Sequence, residues 1–279
     1  MNKSFSKLSK PYLIWLYIFA LLPAVFMFLL IFIDTEGLDF DNFRLTFSNF
    51  NQLKEASTVV SFFNSLFLAF FTTLISIILG YLVAYKLFRS HFKNKFLILV
   101  ILVLPMWSNI LLRTYALANI MDSNNIITSI LSQLFKRDIT FIKLRGSIFA
   151  VLIGLIVTYV PFMVMPIYNA LEKIDPSIEE AALDLGLTDF QKFWKIIFPI
   201  SSKGIITGSI MVFLPSLSGF AIPQIIGDEK IVMIGNVIEE LFKNMNYSVG
   251  ALLAIIILLF ILISIFIVNK IDKEGETLL

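Results

Sequence analysis

No cysteine occurs anywhere in the 279-residue sequence, which excludes disulfides, thiolate metal sites and cysteine nucleophiles. Histidine is almost as scarce. The single imidazole, His91, sits among Lys86, Arg89, Lys93 and Lys95, the surroundings of a solvated loop, so neither imidazole catalysis nor a histidine metal cluster has its parts. Charged residues make up only 15% of the chain and leave a net charge of +2, which gives no sign of a nucleic-acid partner. There is no Gly-rich Walker loop, so the chain does not hydrolyse nucleotide itself.

What fills the sequence instead is apolar: 58% of residues are hydrophobic and the mean hydropathy is +0.89, the range of an integral membrane protein. Six runs are long enough to cross a bilayer: about 12–33, 62–85, 96–118, 147–170, 204–227 and 247–269. The first follows Lys3, Lys7 and Lys10 as a signal peptide would. It is too long for a signal h-region and no small-residue cleavage site follows it, so it reads as a retained span. The expected fold is an all-α polytopic membrane protein with six spans: a cytoplasmic N-terminus 1–11, a permease domain 12–272 and a cytoplasmic tail 273–279. Lys and Arg are richer in the segments that share a side with the N-terminus, above all in the short loop 86–95, which places both termini inside.

All twenty acids lie outside the span interiors. A proton-driven carrier needs a membrane-buried carboxylate or histidine, and this chain has none, so energy for uphill transport would enter through a partner. Sodium held by backbone carbonyls stays open. Pro23, Pro105, Pro161, Pro166, Pro215 and Pro223 fall in or at the ends of the apolar runs, where kinks free backbone carbonyls to line a pathway; the cluster 214–223 is the strongest such candidate. Outside the spans, residues 34–58 begin acidic at Asp34, Glu36, Asp39 and Asp41. Ile126, Ile127, Ile130, Leu131, Leu134 and Phe135 recur at helical spacing, predicting a helix on the outer membrane surface.

The segment 172–200 is unlike its apolar neighbours. Asp175 and Pro176 are placed to start a helix, with Ile178, Ala181, Ala182 and Leu185 along one face and Gly186 suited to end it. Thr188 and Gln191 have the form of a capping box opening a second helix with Phe190, Phe193, Trp194 and Ile197 on one face. The spacing predicts two short helices, 176–186 and 188–198, built to dock onto a partner.

The series Glu180-Ala181-Ala182, three residues, Gly186, nine residues, Ile196-Ile197-Phe198-Pro199 resembles the EAA loop of ABC importer permeases, with Phe198 where the family usually has Leu. Leu104-Pro105-Met106-Trp107-Ser108-Asn109 with Arg113-Thr114-Tyr115, the run 159–168 and Met233-Ile234-Gly235-Asn236 are similar to the spermidine/putrescine branch of that family. No Asp stands in 220–227, where some polyamine permeases carry one.

The resemblance implies a type I ABC permease subunit in a bacterial plasma (inner) membrane. Its partners would be a cytoplasmic ATPase dimer, which uses ATP and Mg, a second permease subunit and an extracellular or periplasmic binding protein that delivers polyamine; the chain itself would bind no cofactor and catalyse nothing. Glu180, Ala181, Ala182, Asp184, Gly186, Ile196 and Pro199 would couple to the ATPase. Trp107, Asn109, Tyr115, Tyr159 and Phe220 are the pathway candidates, because aromatic faces attract cations weakly, by about 0.5–2 kcal/mol each. Asn109 and Arg113 could instead hydrogen-bond between spans, and Asp228, Glu229, Glu239 and Glu240 form an acidic outer loop able to attract a cation. Two rival readings remain at this stage: an ABC permease for a metal chelate or oxyanion, and a self-contained carrier or channel.

Overall fold

A computed structural model describes the backbone of residues 3–34, 44–138, 140 and 142–271, and the side chains of 11–33, 44–138, 140 and 142–266. Glu36, Asp39, Asp41 and the tail 273–279 lie outside the described residues, as do the side chains of Lys3, Lys7, Lys10, Asp34 and Lys270.

In lipid every backbone amide and carbonyl must be satisfied within the chain, so apolar runs become helices. The long ones are α1 (Lys3–Leu30), α2 (Ala56–Arg89), α6 (Ile148–Glu172), α9 (Phe198–Ser218) and α12 (Tyr247–Ile271). Between them stand α3 (Lys95–Val103), α4 (Ile110–Ile120), α5 (Ile126–Phe135), α7 (Pro176–Asp184), α8 (Asp189–Lys192), α10 (Ala221–Ile226) and α11 (Ile234–Lys243). With 34 residues, α2 runs about 51 Å against a hydrocarbon thickness of about 30 Å. That leaves room for Lys86 and Arg89, in its last turn, to stand clear of lipid.

Among the described residues five helices are long and apolar enough to cross a membrane, and the bent pair of α3 and α4, counted as one span, makes six. The run 96–118 is sharply bent in the region where Pro105 predicts a kink: its halves meet at 92°. Pro105 sits in a 3-10 turn, Leu104–Trp107, and its carbonyl accepts from Ser108 N (3.2 Å), Ser108 Oγ (2.6 Å) and Arg113 Nη1 (2.7 Å). Asn109 Oδ1 then caps α4 through Leu111 N (2.8 Å) and Leu112 N (3.3 Å). The bend thus supplies partners for several of its own polar groups, although Arg113 Nε is buried without one among the described residues. The run 204–227 is also interrupted, because α9 ends at Ser218, Gly219 is extended (ψ 141°) and α10 begins afresh at Ala221.

The described chain forms two compact units. In the first, 1–60 with 237–262, Leu30 and Ile31 at the end of α1 pack with Ala251 and Leu252 of α12. A two-residue antiparallel pair, β1 (Ile33–Asp34) and β2 (Arg44–Leu45), is held beside them. Asn49 stitches the chain there, donating to Ile31 O at 2.8 Å and Ile33 O at 3.3 Å. The rest of α1 from Tyr12 to Leu29 leaves most of its large apolar side chains exposed, as a lipid-facing helix would.

In the second unit, 61–236 with 263–279, α6 is the central helix. Leu155, Met163, Ile167 and Leu171 are fully buried. Met163 is wedged between two glycines on different helices: a methyl on Gly80 of α2 would lie 2.7 Å from Met163 Cγ, and one on Gly208 of α9 2.6 Å from Met163 Sδ. One turn away, a methyl on Gly204 would meet Pro166 O at 2.5 Å. Only bare glycine lets α2 and α9 approach α6 this closely, the small-residue packing that membrane helices use.

Gly208→Leu should drive α9 away from α6, at a cost of about 1–3 kcal/mol or more for overpacking, whereas Met163→Ala should leave a cavity costing about 2–5 kcal/mol. Both should lower the thermal unfolding midpoint of the detergent-purified protein. Midpoints unchanged for both variants would contradict the wedge.

Candidate coupling loop and pathway lining

The loop after α6 folds as its local chemistry dictates. Asp175 Oδ1 accepts from Ser177 N at 2.9 Å, and Pro176 occupies the first turn of α7. These Ser177 donors hold the Asp175 carboxyl below its ordinary range. Its capping contribution is therefore present above the usual Asp pKa of about 3.9 and is lost as pH falls through the lowered folded value. The far end of α7 is a Schellman motif, with Leu187 N on Ala182 O (3.1 Å), Gly186 N on Leu183 O (2.9 Å) and Gly186 at φ +79°. Beyond its own chain neighbours nothing lies within 4 Å of where a Gly186 side chain would begin, so the demand for glycine here is conformational and not steric.

The second half departs from the sequence expectation. Thr188 and Gln191 do form the capping box, but the helix they open does not stop at 198. It passes from α8 through a π-helical turn, Phe193–Ile197, straight into α9. The loop thus holds one free-standing helix, α7, and one N-terminal extension of a span.

Of the residues the EAA resemblance singles out, Glu180, Ala181, Asp184 and Pro199 are exposed, Ile196 is half-buried and Ala182 is buried. The predicted apolar stripe on α7 is covered only at Ala182: Ile178 is 41% and Leu185 82% exposed, and Phe190 beyond the glycine is 73% exposed. A cluster of bare apolar side chains this large marks an interaction surface more than a self-sufficient fold.

Sequence reasoning missed what holds α7 in place. Glu179 makes a 2.7 Å ion pair with Arg89 at the end of α2 and lies 3.6 Å from Lys192 of α8. Lys192 is itself buried and reaches Asp189 at 3.0 Å. Arg89 also donates to Tyr85 Oη at 3.3 Å. Beside this knot the rings of Tyr81, Tyr85, Phe193 and Phe198 pack at 5.2–6.2 Å between centroids, tying the end of α2 to the π turn. Arg89 and Glu179 are ninety residues apart, and no local spacing rule connects them.

The pathway candidates separate. Tyr159 and Phe220 line one cavity of about 430 Å³ at the break between α9 and α10, together with Leu111, Pro215 and Gly219. Tyr159 is buried and donates to Pro215 O at 3.4 Å. Trp107 (90% exposed) and Tyr115 (60%) do not line it, and the Asn109 amide oxygen is occupied in capping α4. Asn109 and Arg113 make hydrogen bonds within the bent span, not between spans. A larger cavity of about 670 Å³ lies between Met106, Asn169 and Lys173 on one side and Pro199, Lys203 and Thr207 on the other.

The acids expected to form an outer loop are also spoken for in part, and Glu239 and Glu240 lie within α11. Asp228 meets Lys143 at 3.6 Å and Arg145 at 3.3 Å, and both cations also reach Asp122, at 3.7 and 3.2 Å. Glu239 pairs with Lys243. The four-charge cluster pins three loops together, so Asp228 is not a free acid awaiting a cation.

Residues 76–274 match the family described as binding-protein-dependent transport system inner membrane component. The chain belongs to that family. It is a permease subunit of an ABC importer, a multi-pass membrane transport component. Among the family's curated members, the spermidine/putrescine transport system permease protein PotB of Haemophilus influenzae is 30% identical over 275 residues, covering 98% of this chain and 96% of its own. PotB of Escherichia coli is 34% identical over 232 residues, covering 83% and 84%. Among solved structures, a bacterial ABC transporter involved in import of the acidic polysaccharide alginate aligns with a TM-score of 0.77 at 17% identity, covering 98% of this chain and 96% of that one. The MetNI methionine transporter aligns at 0.59 and 15%, covering 78% and 95%. At such identities these two speak for the fold.

Two substitutions probe the loop directly. Glu179→Ala removes a charged hydrogen bond and strips Lys192 of a partner, which should cost about 1.5–3 kcal/mol and lower the thermal midpoint. At Gly186, Ala should be penalised by about 1–2 kcal/mol for the left-handed backbone while Asn is tolerated. Equal stability of the Ala and Asn variants in the same unfolding assay would show that the loop does not require that conformation.

Proposed function

We propose that this chain forms half of the translocation pathway of a polyamine importer, taking spermidine or putrescine from an extracellular binding protein and driven by a cytoplasmic ATPase dimer. The observation that carries the reading is the kinship with two PotB permeases over most of the chain. A second permease subunit completes the pathway, both termini lie in the cytoplasm, and the loop 172–200 faces the ATPase.

In this reading α7 is the docked element. Its exposed apolar side chains Ile178 and Leu185 seat in the ATPase, Glu180 and Asp184 bond polar groups around them, and Ala181 allows close approach. Closure of the two ATP-bound subunits moves α7. The Arg89–Glu179–Lys192 knot passes that movement to α2 and α9, and the spans open outward to the loaded binding protein; hydrolysis reverses the motion. Tyr159 and Phe220 offer ring faces to a passing polycation at the α9–α10 break, and weak contacts suit a substrate that must leave again. A second reading, a neutral or anionic solute, draws support from one observation: neither described cavity has a carboxylate among its lining residues.

Labelled spermidine and putrescine should bind the cognate binding protein and accumulate, with ATP, in proteoliposomes carrying the whole complex. Accumulation of an anionic solute in their place would favour the second reading. Glu180→Lys should abolish substrate-stimulated ATP hydrolysis; assembly and stimulated hydrolysis both intact in that variant would remove the docking role.

A further inference from the structure

The helix that the aliphatic spacing predicts over 126–135, α5, lines neither of the two cavities. It stands between the bent span and α6, at the end of α6 away from the coupling loop. There Leu144 N (2.9 Å) and Arg145 N (3.2 Å) both bond Met121 O and close the segment at its base. The polar side of α5 is turned inward. Asn125 is buried, donates to Ile120 O at 3.1 Å and Asp122 O at 2.8 Å, and accepts from Ile127 N and Thr128 N at 2.9 Å each; buried Thr128 completes the capping box. The apolar side is turned outward. At about 100° per residue, Ile126, Ile130, Leu134 and Ile127 fall within one arc of about 100°, and Ile130 and Leu134 at its middle are 59% and 72% exposed. Thr128 lies roughly opposite that arc, and Ser129 and Gln133, both exposed, run along one border of it. Phe135 is bare at the helix end.

A helix that buries its hydroxyls and bares its aliphatic side chains is folded for an apolar surrounding, because in water the other face would be the buried one. Two further observations say which surrounding. First, α5 packs against α4, which is part of the bent membrane span and leaves its own Leu112, Tyr115 and Ile120 exposed. Second, α5 itself carries no charge and is followed at once by exposed Lys136 and Arg137, with Asp138 after them. That is a net cation where an interfacial helix meets lipid phosphates. We propose that α5 lies in the membrane interface, its apolar arc seated among the acyl chains of the leaflet at this end of α6, with Ser129 and Gln133 towards headgroups and water and Lys136 and Arg137 beside the phosphates. The partner is lipid, whichever solute the pathway carries. Through the Asn125 bonds to Ile120 and Asp122 the seat also steadies α4, whose Leu111 lines the cavity at the second break.

The test is photo-crosslinking in the whole complex, reconstituted in vesicles of mixed zwitterionic and anionic phospholipid with alkyne-tagged acyl chains. Ile130→p-benzoylphenylalanine and Leu134→p-benzoylphenylalanine should each label lipid several-fold more than Gln133→p-benzoylphenylalanine, with or without the binding protein present. All three positions are exposed, and the two on the arc are read separately, so the loss of one variant leaves the other to decide. Lys136→Gln/Arg137→Gln should reduce lipid labelling from position 134 in the mixed vesicles and leave it unchanged in purely zwitterionic ones; no reduction in the mixed vesicles would remove the phosphate contact. Adducts with the binding protein or with another subunit in place of lipid, or equal lipid labelling from 130, 133 and 134, overturn the lipid seat.

Discussion

Everything in the larger unit depends on how closely α2 and α9 can approach α6. Met163 is the measure of that distance. It fills the space that Gly80 and Gly208 leave bare, and Pro166 presents its carbonyl to the missing side chain of Gly204. Lipid tails are as apolar as the side chains they would contact, so hydrophobicity alone cannot hold these helices together. Close packing can, and here it is set by glycines facing one long, flexible, polarisable side chain.

Two spans break, and each break has its own polar bookkeeping. At Pro105 and around Gly219 the helix does not continue, and a break inside the membrane survives only if its orphaned groups find partners. The first break solves this internally, by sending three donors to one carbonyl and capping α4 with Asn109. At the second, Tyr159 reaches Pro215 O, and Asn236 donates to Phe220 O at 2.9 Å. Positions read from the sequence as substrate contacts are thus partly structural. An amide beside a proline is as useful for ending and restarting a helix as for meeting a solute.

Local chemistry was the most legible part. The cap at Asp175, the left-handed Gly186, the Thr188 capping box and the helix over 126–135 all follow from residues within one or two turns of each other, where sequence spacing and spatial spacing coincide. Hydropathy located the long spans for the same reason. It could not see the 92° bend, because both halves of 96–118 are equally apolar, nor that α8 flows into α9. The Glu179–Arg89 pair and the Asp122–Lys143–Arg145–Asp228 cluster were beyond reach: each joins segments distant in sequence, and a charge near a helix start looks the same whether or not an arginine waits ninety residues upstream.

The π turn between α8 and α9 has a geometric meaning of its own. Phe198 N bonds to Phe193 O, so this turn holds one residue more than an α-helical turn would. An α-helix advances about 100° per residue, and that extra residue therefore rotates everything before it by roughly a quarter-turn relative to the span. It is this offset that presents Lys192 to Glu179 while Ile197 faces the core. The wide turn acts as a phase plate: it lets one continuous rod satisfy the azimuth of the ion knot at one end and the azimuth of the packed bundle at the other, two requirements that a regular helix of the same residues would set out of step.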